Sequence, residues 1–159
     1  MVLPEEELQV AMYEHCLHRT REAGLDQYEI SSFARPGFEC RHNLEYWRGE
    51  EYAGYGPGAV ETMEGVRITN LKQPARYAAA IESGLDPGYD RETLDAGTRR
   101  KERIMLGLRL NEGIPEAWSD DPAAVEKLLD RGWLEADNGF LRLTEAGRHF
   151  CSEATTLLI

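Results

Sequence analysis

The chain has 159 residues, enough for one compact domain or for a small domain beside part of another. Its 18 lysines and arginines face 29 aspartates and glutamates, a formal net charge of −11. A surface of that sign repels phosphate backbones and anionic membranes, so the composition argues against a nucleic-acid partner.

Taken in chain order, residues 4–23 read as a helix. Pro4 suits a first turn, and Glu5, Glu6 and Glu7 complement the positive end of the helix dipole. Leu8, Ala11, Met12 and Cys16 form a stripe at helical spacing, and Gly24 marks the stop. YEISSFA (28–34) reads as a strand that runs into the turn Arg35-Pro36-Gly37. By alternation Tyr28, Ile30 and Ser32 share one face of it, and Glu29, Ser31 and Phe33 the other, Glu29 being a candidate acid or base. Helix, tight connection, strand is the unit of an α/β sheet or barrel. The GYGPGA segment (54–59) is too rich in glycine for a regular element. It lacks the lysine and hydroxyl of a phosphate loop, and its expected role is to bring the backbone close to a ligand or to another strand. A second helix is expected over 74–83, and 85–94 reads as a linker. The division is therefore into residues 1–90 and 91–159.

The last third carries a helix at 95–110 with Ile104, Met105, Leu108 and Leu110 inward. A second helix at 122–131 turns Val125, Leu128 and Leu129 to the core. A hairpin follows at WLEADNGFLRL with Asn138-Gly139 at its tip, and then a final helix in TEAGRHFCSEATTLL capped by Thr144. Helix, helix, hairpin, helix is the order of a winged-helix-like module. Its helix PAAVEKLLDR is balanced in charge and its hairpin sets Glu135 and Asp137 against Arg142. The expectation is a packing module that does not read DNA.

No apolar run reaches the roughly 20 residues of a membrane span, and MVLPEEELQ has neither the basic flank nor the apolar core of a signal peptide. Cys16, Cys40 and Cys151 make no CxxC pair, which fits reduced thiols in the cytoplasm.

Chemistry concentrates in ECRHNLEYWRGEEYAGYGPGA (39–59). If His42-Asn43-Leu44-Glu45-Tyr46-Trp47 is helical, His42 and Tyr46 lie one turn apart on one face. His42 then offers a ring nitrogen to iron, and Tyr46 and Trp47 offer flat apolar surface to a macrocycle. Asn43 offers a hydrogen bond to a propionate or to the imidazole. The other reading is a buried turn in which His42 and Asn43 hold backbone groups and the aromatics fill a core. Cys40 reads as a structural thiol.

The segment YEISSFARPGFECRHNLEYWRGEEYAGYGPGA, with GLRL (107–110) and LTEAGRHF (143–150), resembles the HemW-type heme chaperones. These are radical SAM proteins long described as oxygen-independent coproporphyrinogen III oxidase-like. The resemblance implies an α/β fold: the last helix–strand unit of a partial (β/α) barrel, followed by a C-terminal helical, winged-helix-like domain. It implies heme binding by His42, Asn43, Tyr46 and Trp47, with His42 the candidate ligand to heme iron, and a heme-acceptor protein as partner. A [4Fe–4S] cluster and S-adenosylmethionine belong to the intact family protein. The cluster's Cys-x-x-x-Cys-x-x-Cys loop is absent here, so the chain is expected to correspond to the C-terminal part, not catalytic alone. It is expected to associate with itself or with the missing barrel segment. Val60 stands where the family has His after Gly-Ala, and Ser32 where Asn is usual. The alternatives are a fragment of a true coproporphyrinogen III oxidase and a ligand-free winged-helix interaction module.

Overall fold

The structure, a computed structural model, describes residues 3–159; the first two residues of the N-terminal stretch lie outside them. It opens with α1 (Glu6–Glu22), preceded by Glu5 in the capping position, with Glu6 and Glu7 in its first turn. The stripe expected to point inward points out: Leu8 and Met12 are 54% and 58% exposed, and no residue of the helix is buried. Its contacts are made instead by half-buried Tyr13, Leu17 and Thr20, the i, i+4, i+7 face that meets the next element. The Tyr13 hydroxyl donates to Ile30 O at 3.0 Å and accepts from Gln27 Nε2 at 2.7 Å.

YEISSFA is not one strand. It folds as β1 (Asp26–Glu29) and β2 (Ser32–Ala34), an antiparallel hairpin that turns at Ile30-Ser31. The cause is Glu29, whose carboxylate accepts from both Ser31 N (2.9 Å) and Ser31 Oγ (2.8 Å) and so staples the turn. Ile30 is carried onto the main core.

Next come α2 (Arg41–Trp47), β3 (Val60–Met63), β4 (Val66–Asn70), α3 (Pro74–Glu82) and β5 (Gly88–Thr93). The three strands form an antiparallel sheet in the order β3-β4-β5. The stretch 85–94 is therefore no linker: Val66 to Asn70 of β4 pair with Thr93 to Gly88 of β5. Asp86 holds it in place, accepting from Gly88 N and pairing with Arg91.

The last third comprises α4 (Ala96–Gly107), β6 (Ile114–Pro115), α5 (Pro122–Asp130), β7 (Leu134–Asp137), β8 (Phe140–Leu143), α6 (Glu145–Arg148) and α7 (Cys151–Leu158). Its strands pair as β6-β8-β7. The hairpin tip sits at Asn138 (φ 51) and Gly139 (φ 79), two successive left-handed residues that suit the strand twist. Asp95, Asp121 and Thr144 cap their helices with side-chain oxygens. The expected final helix is broken at His149-Phe150, because the Phe150 ring turns to stack on Trp133 with centroids 4.2 Å apart.

The main core lies here: Ile104, Leu108, Ile114, Leu128 and Leu141 are each at most 1% exposed. Met105 and Leu129, expected inside, are 45% and 36% exposed, since each sits one position past the buried ridge of its helix. The mixed α/β architecture with a C-terminal winged-helix-like unit is the expected one.

Candidate functional site

The segment His42–Trp47 is helical, in α2, and not a buried turn. One turn of helix separates its residues into two faces. Asn43 and Trp47, four apart, look inward; His42 and Tyr46, also four apart, look outward, and Tyr46 is 42% exposed. The four residues that the sequence groups together therefore do two different things.

Asn43 anchors the helix to the hairpin. Its Nδ2 donates to Tyr28 Oη at 3.0 Å and to Ser32 Oγ at 3.2 Å. Ser32, which accepts from Asn43, turns its own hydroxyl hydrogen toward Glu29. Trp47 anchors the helix to the end of α4: the Arg109 guanidinium lies over its indole, 4.2 Å from the ring centroid. The indole Nε1 is buried without an acceptor among the described residues, so stacking and not a hydrogen bond seats this ring. Arg109 completes the chain of contacts by donating from Nη2 to Glu29 Oε2 at 3.0 Å.

Glu29, the candidate acid or base, is 1% exposed. Burial pushes its carboxyl up, but the hydrogen bonds from Ser32, Ser31 and Arg109 together outweigh it and hold it below the ordinary value. Glu29 is a structural anion at the junction of hairpin, α2 and α4, not a group poised for proton transfer. The same hairpin is tied to the C-terminal module by further contacts: a bridge between Glu29 and Leu110, Asn111 N and Nδ2 donating to Tyr28 O (3.4 Å) and Gln27 O (2.8 Å), and Arg148 Nη1 donating to Gln27 Oε1 at 3.0 Å.

His42 has an exposed ring that makes no hydrogen bond among the described residues. Tyr46 packs edge-on against Trp47 (5.2 Å) and tilted against Tyr52 (5.6 Å). Tyr46 also lines a cleft of about 420 Å³ between α2, the β3–β4 hairpin and α4, with Tyr52, Val60, Arg67, Leu94 and Met105 among its other walls. Val60 makes the wall apolar where the resemblance sets an imidazole.

The glycine-rich loop supports this cleft from behind. A β-carbon on Gly54 would lie 2.5 Å from Val60 O, so the loop runs against β3, the second of its two expected roles. Asn70, a residue the sequence reading passed over, clamps it by donating from Nδ2 to Gly54 O (3.1 Å) and Gly56 O (3.2 Å). Arg109, Arg99 and Arg103 were passed over as well, because single arginines in a helix carry no signal until the fold shows what they face.

A heme fits this set in one respect: His42 is an accessible imidazole on a helix that is itself held firmly. A cluster does not fit. Among the described residues no three His, Cys, Asp or Glu side chains converge on one point, and Cys16 and Cys40 are exposed on separate elements. Nor is any described helix long and apolar enough to cross a membrane.

Comparison with known proteins follows this geometry. Residues 94–150, starting where β5 ends, match the model of the family described as HemN C-terminal domain. The chain is 35% identical over 150 residues to "Heme chaperone HemW" of Mycobacterium tuberculosis, covering 93% of this chain and 38% of that protein. To "Heme chaperone HemW" of Bacillus subtilis it is 30% identical over 156 residues, covering 92% and 41%. The solved structure of the coproporphyrinogen III oxidase HemN from Escherichia coli, titled a radical SAM enzyme, superposes with a TM-score of 0.76 at 14% identity. That match covers 98% of this chain and 42% of that one, and at this identity it shows the fold alone. The chain thus spans about two-fifths of the length of these relatives.

Proposed function

We propose, for a chain that belongs to the C-terminal part of the HemW-type, HemN-like family of radical SAM proteins, that it contributes to binding heme and passing it on. In this reading heme is cargo. His42 ligates its iron from the outward face of α2, Tyr46 offers ring surface beside it, and Asn43 and Trp47 hold that face in position. The observation that carries the reading is the division of labour along α2. Half-buried Asn43 and Trp47 are spent on anchoring, which leaves the exposed imidazole of the helix free of hydrogen bonds among the described residues. An accessible imidazole with both ring nitrogens free can give one to iron and the other to a hydrogen-bond partner.

A heme-acceptor protein is the partner that transfer requires. A cytoplasmic setting agrees with the thiol usage and with the absence of a membrane-spanning helix among the described residues. The cluster and S-adenosylmethionine chemistry of the family is assigned to segments other than this one, whose cysteines do not suit it. On this reading the chain alone is not a catalyst.

Titration with hemin, followed by Soret absorbance, tests the proposal on this chain and on His42→Ala in parallel. The expected result is a saturable one-to-one spectrum of ligated heme that loses its ligated signature in the variant. Identical, unsaturable spectra from both proteins would end the assignment of His42.

A second reading, which takes its activity from the name of that oxidase and not from the likeness of fold, makes the chain part of a porphyrinogen-decarboxylating enzyme. A decarboxylation assay on a full-length relative carrying the H-N-x-x-Y-W run decides it; no turnover leaves the chaperone reading in place.

A further inference from the structure

The cleft beside α2 carries two cations that the heme reading above does not use. Arg99 and Arg103 are four residues apart on one face of α4, both exposed, and both line this cleft. Among the described residues neither has a carboxylate within ion-pair distance, whereas their neighbour Arg67 is held by Glu92 and, at 2.7 Å, by Glu102. Each free arginine rests on a glycine. A β-carbon on Gly65, in the β3–β4 turn, would sit 3.2 Å from Arg99 Nη1; one on Gly49, just past α2, would sit 3.2 Å from Arg103 Cγ. Each arginine side chain thus passes close over a glycine at the rim of the cleft. Arg103 is also drawn toward the Trp118 ring, 5.9 Å from its centroid.

The walls between these arms are the Tyr46–Tyr52 pair and the apolar side chains of Val60, Leu94 and Met105. Two carboxylates share the lining besides Glu102. They are Glu50 and Glu51, the second accepting from Glu64 N at 2.7 Å and keeping its charge, so the lining sets three arginines against three carboxylates. An apolar, aromatic-walled cleft with a pair of uncommitted guanidinium forks selects a flat apolar body that carries carboxylates.

We propose that this cleft is a tetrapyrrole site in which Arg99 and Arg103 bind the propionate carboxylates. The proposal rests on the heme reading for the identity of the ligand, but not on His42.

The test uses iron-free protoporphyrin IX and its dimethyl ester, bound to the full chain and followed by porphyrin fluorescence, with hemin run in parallel. The dicarboxylate is expected to bind more tightly than the ester by roughly tenfold for each arginine, the size of a charge-assisted hydrogen bond. Arg99→Gln with Arg103→Gln should abolish that preference while leaving ester affinity and circular dichroism unchanged, and the paired lysine replacements should restore part of it. Hemin bound in a His42-dependent way, with no carboxylate preference, would overturn the cleft and keep the heme reading. An arginine-dependent preference without any His42-dependent hemin spectrum would keep the cleft and overturn His42. Binding of neither porphyrin nor hemin would overturn both.

Discussion

The Glu29 carboxylate binds Ser31 on its own hairpin with one oxygen and Arg109, just past α4, with the other. It caps the turn between β1 and β2 through Ser31, and its ion pair with Arg109 holds that guanidinium over Trp47. Replacing it by Gln keeps the shape and removes the charge. Breaking a buried pair leaves the partner uncompensated, a cost of roughly 3–5 kcal/mol when both are fully buried. Arg109 is 27% exposed and recovers part of that from water, so a loss of about 2 kcal/mol is expected. The pH dependence has a definite sign. A carboxyl held below its ordinary value contributes stability above that value and loses it as pH falls through the folded one. The gap between wild type and Glu29→Gln in urea unfolding should therefore be full near neutral pH and close as pH drops below 4.5 toward the folded value. A gap that stays constant into acid would mean that shape and not charge holds the junction.

At the scale of elements, α2 separates anchoring from exposure, and the two can be measured apart. Asn43→Ala removes the donor to Tyr28 and Ser32 and should cost about 1–3 kcal/mol, the range for a lost buried partner. His42→Ala touches only an exposed ring and should stay within about 0.5 kcal/mol of wild type. If His42→Ala unfolded as readily as Asn43→Ala in a thermal melt, the histidine would be a structural residue and its effect on hemin indirect. The sequence left this segment open between a helix and a buried turn, and the two faces of α2 were not legible, because both carry polar and aromatic residues. The capped helices and the Asn-Gly hairpin of the last third were legible for a local reason: their signals lie within four residues of one another. Hairpin β1–β2 was not, since its turn is made by a carboxylate that a distant arginine draws inward. Strands β3 and β5 escaped notice for a related reason. VETMEGVRITN does contain a two-residue turn at Glu64 (φ 49) and Gly65 (φ 76), but its apolar alternation is confined to Val66 and Ile68 with Met63 opposite, too short a pattern to stand out from the glutamate, threonine and arginine around it. Strand β5, GYDRET, is polar throughout and is a strand only because β4 is beside it. Of the candidate site, the sequence exposed the residues that differ from their surroundings in chemistry; those that matter by position, Asn70, Arg99, Arg103 and Arg109, had to wait for the fold.

For the molecule as a whole, the apolar surface is unevenly spread. The C-terminal module encloses a closed core, whereas α1, 17 residues long, has no fully buried side chain and exposes Leu8 and Met12 on one face. The helix is held by Tyr13 against the two-stranded sheet and the His149 ring, and by an exposed Arg21–Glu145 ion pair, and small two-stranded sheets are marginal on their own. Exposed apolar side chains at one-turn spacing, next to a short strand with an open edge, favour pairing with another chain. The expected consequence is concentration-dependent association of this chain through the outer face of α1. Light scattering across a hundredfold range of concentration measures it, and Leu8→Gln with Met12→Gln should shift the onset to higher concentration. The double variant touches neither α2 nor the cleft, so hemin and porphyrin binding should be unchanged in it. A protein that stays monodisperse at high concentration, with the variant identical to wild type, would show that the hairpin and Tyr13 suffice to hold α1 and that its outer stripe attracts no partner of its own kind.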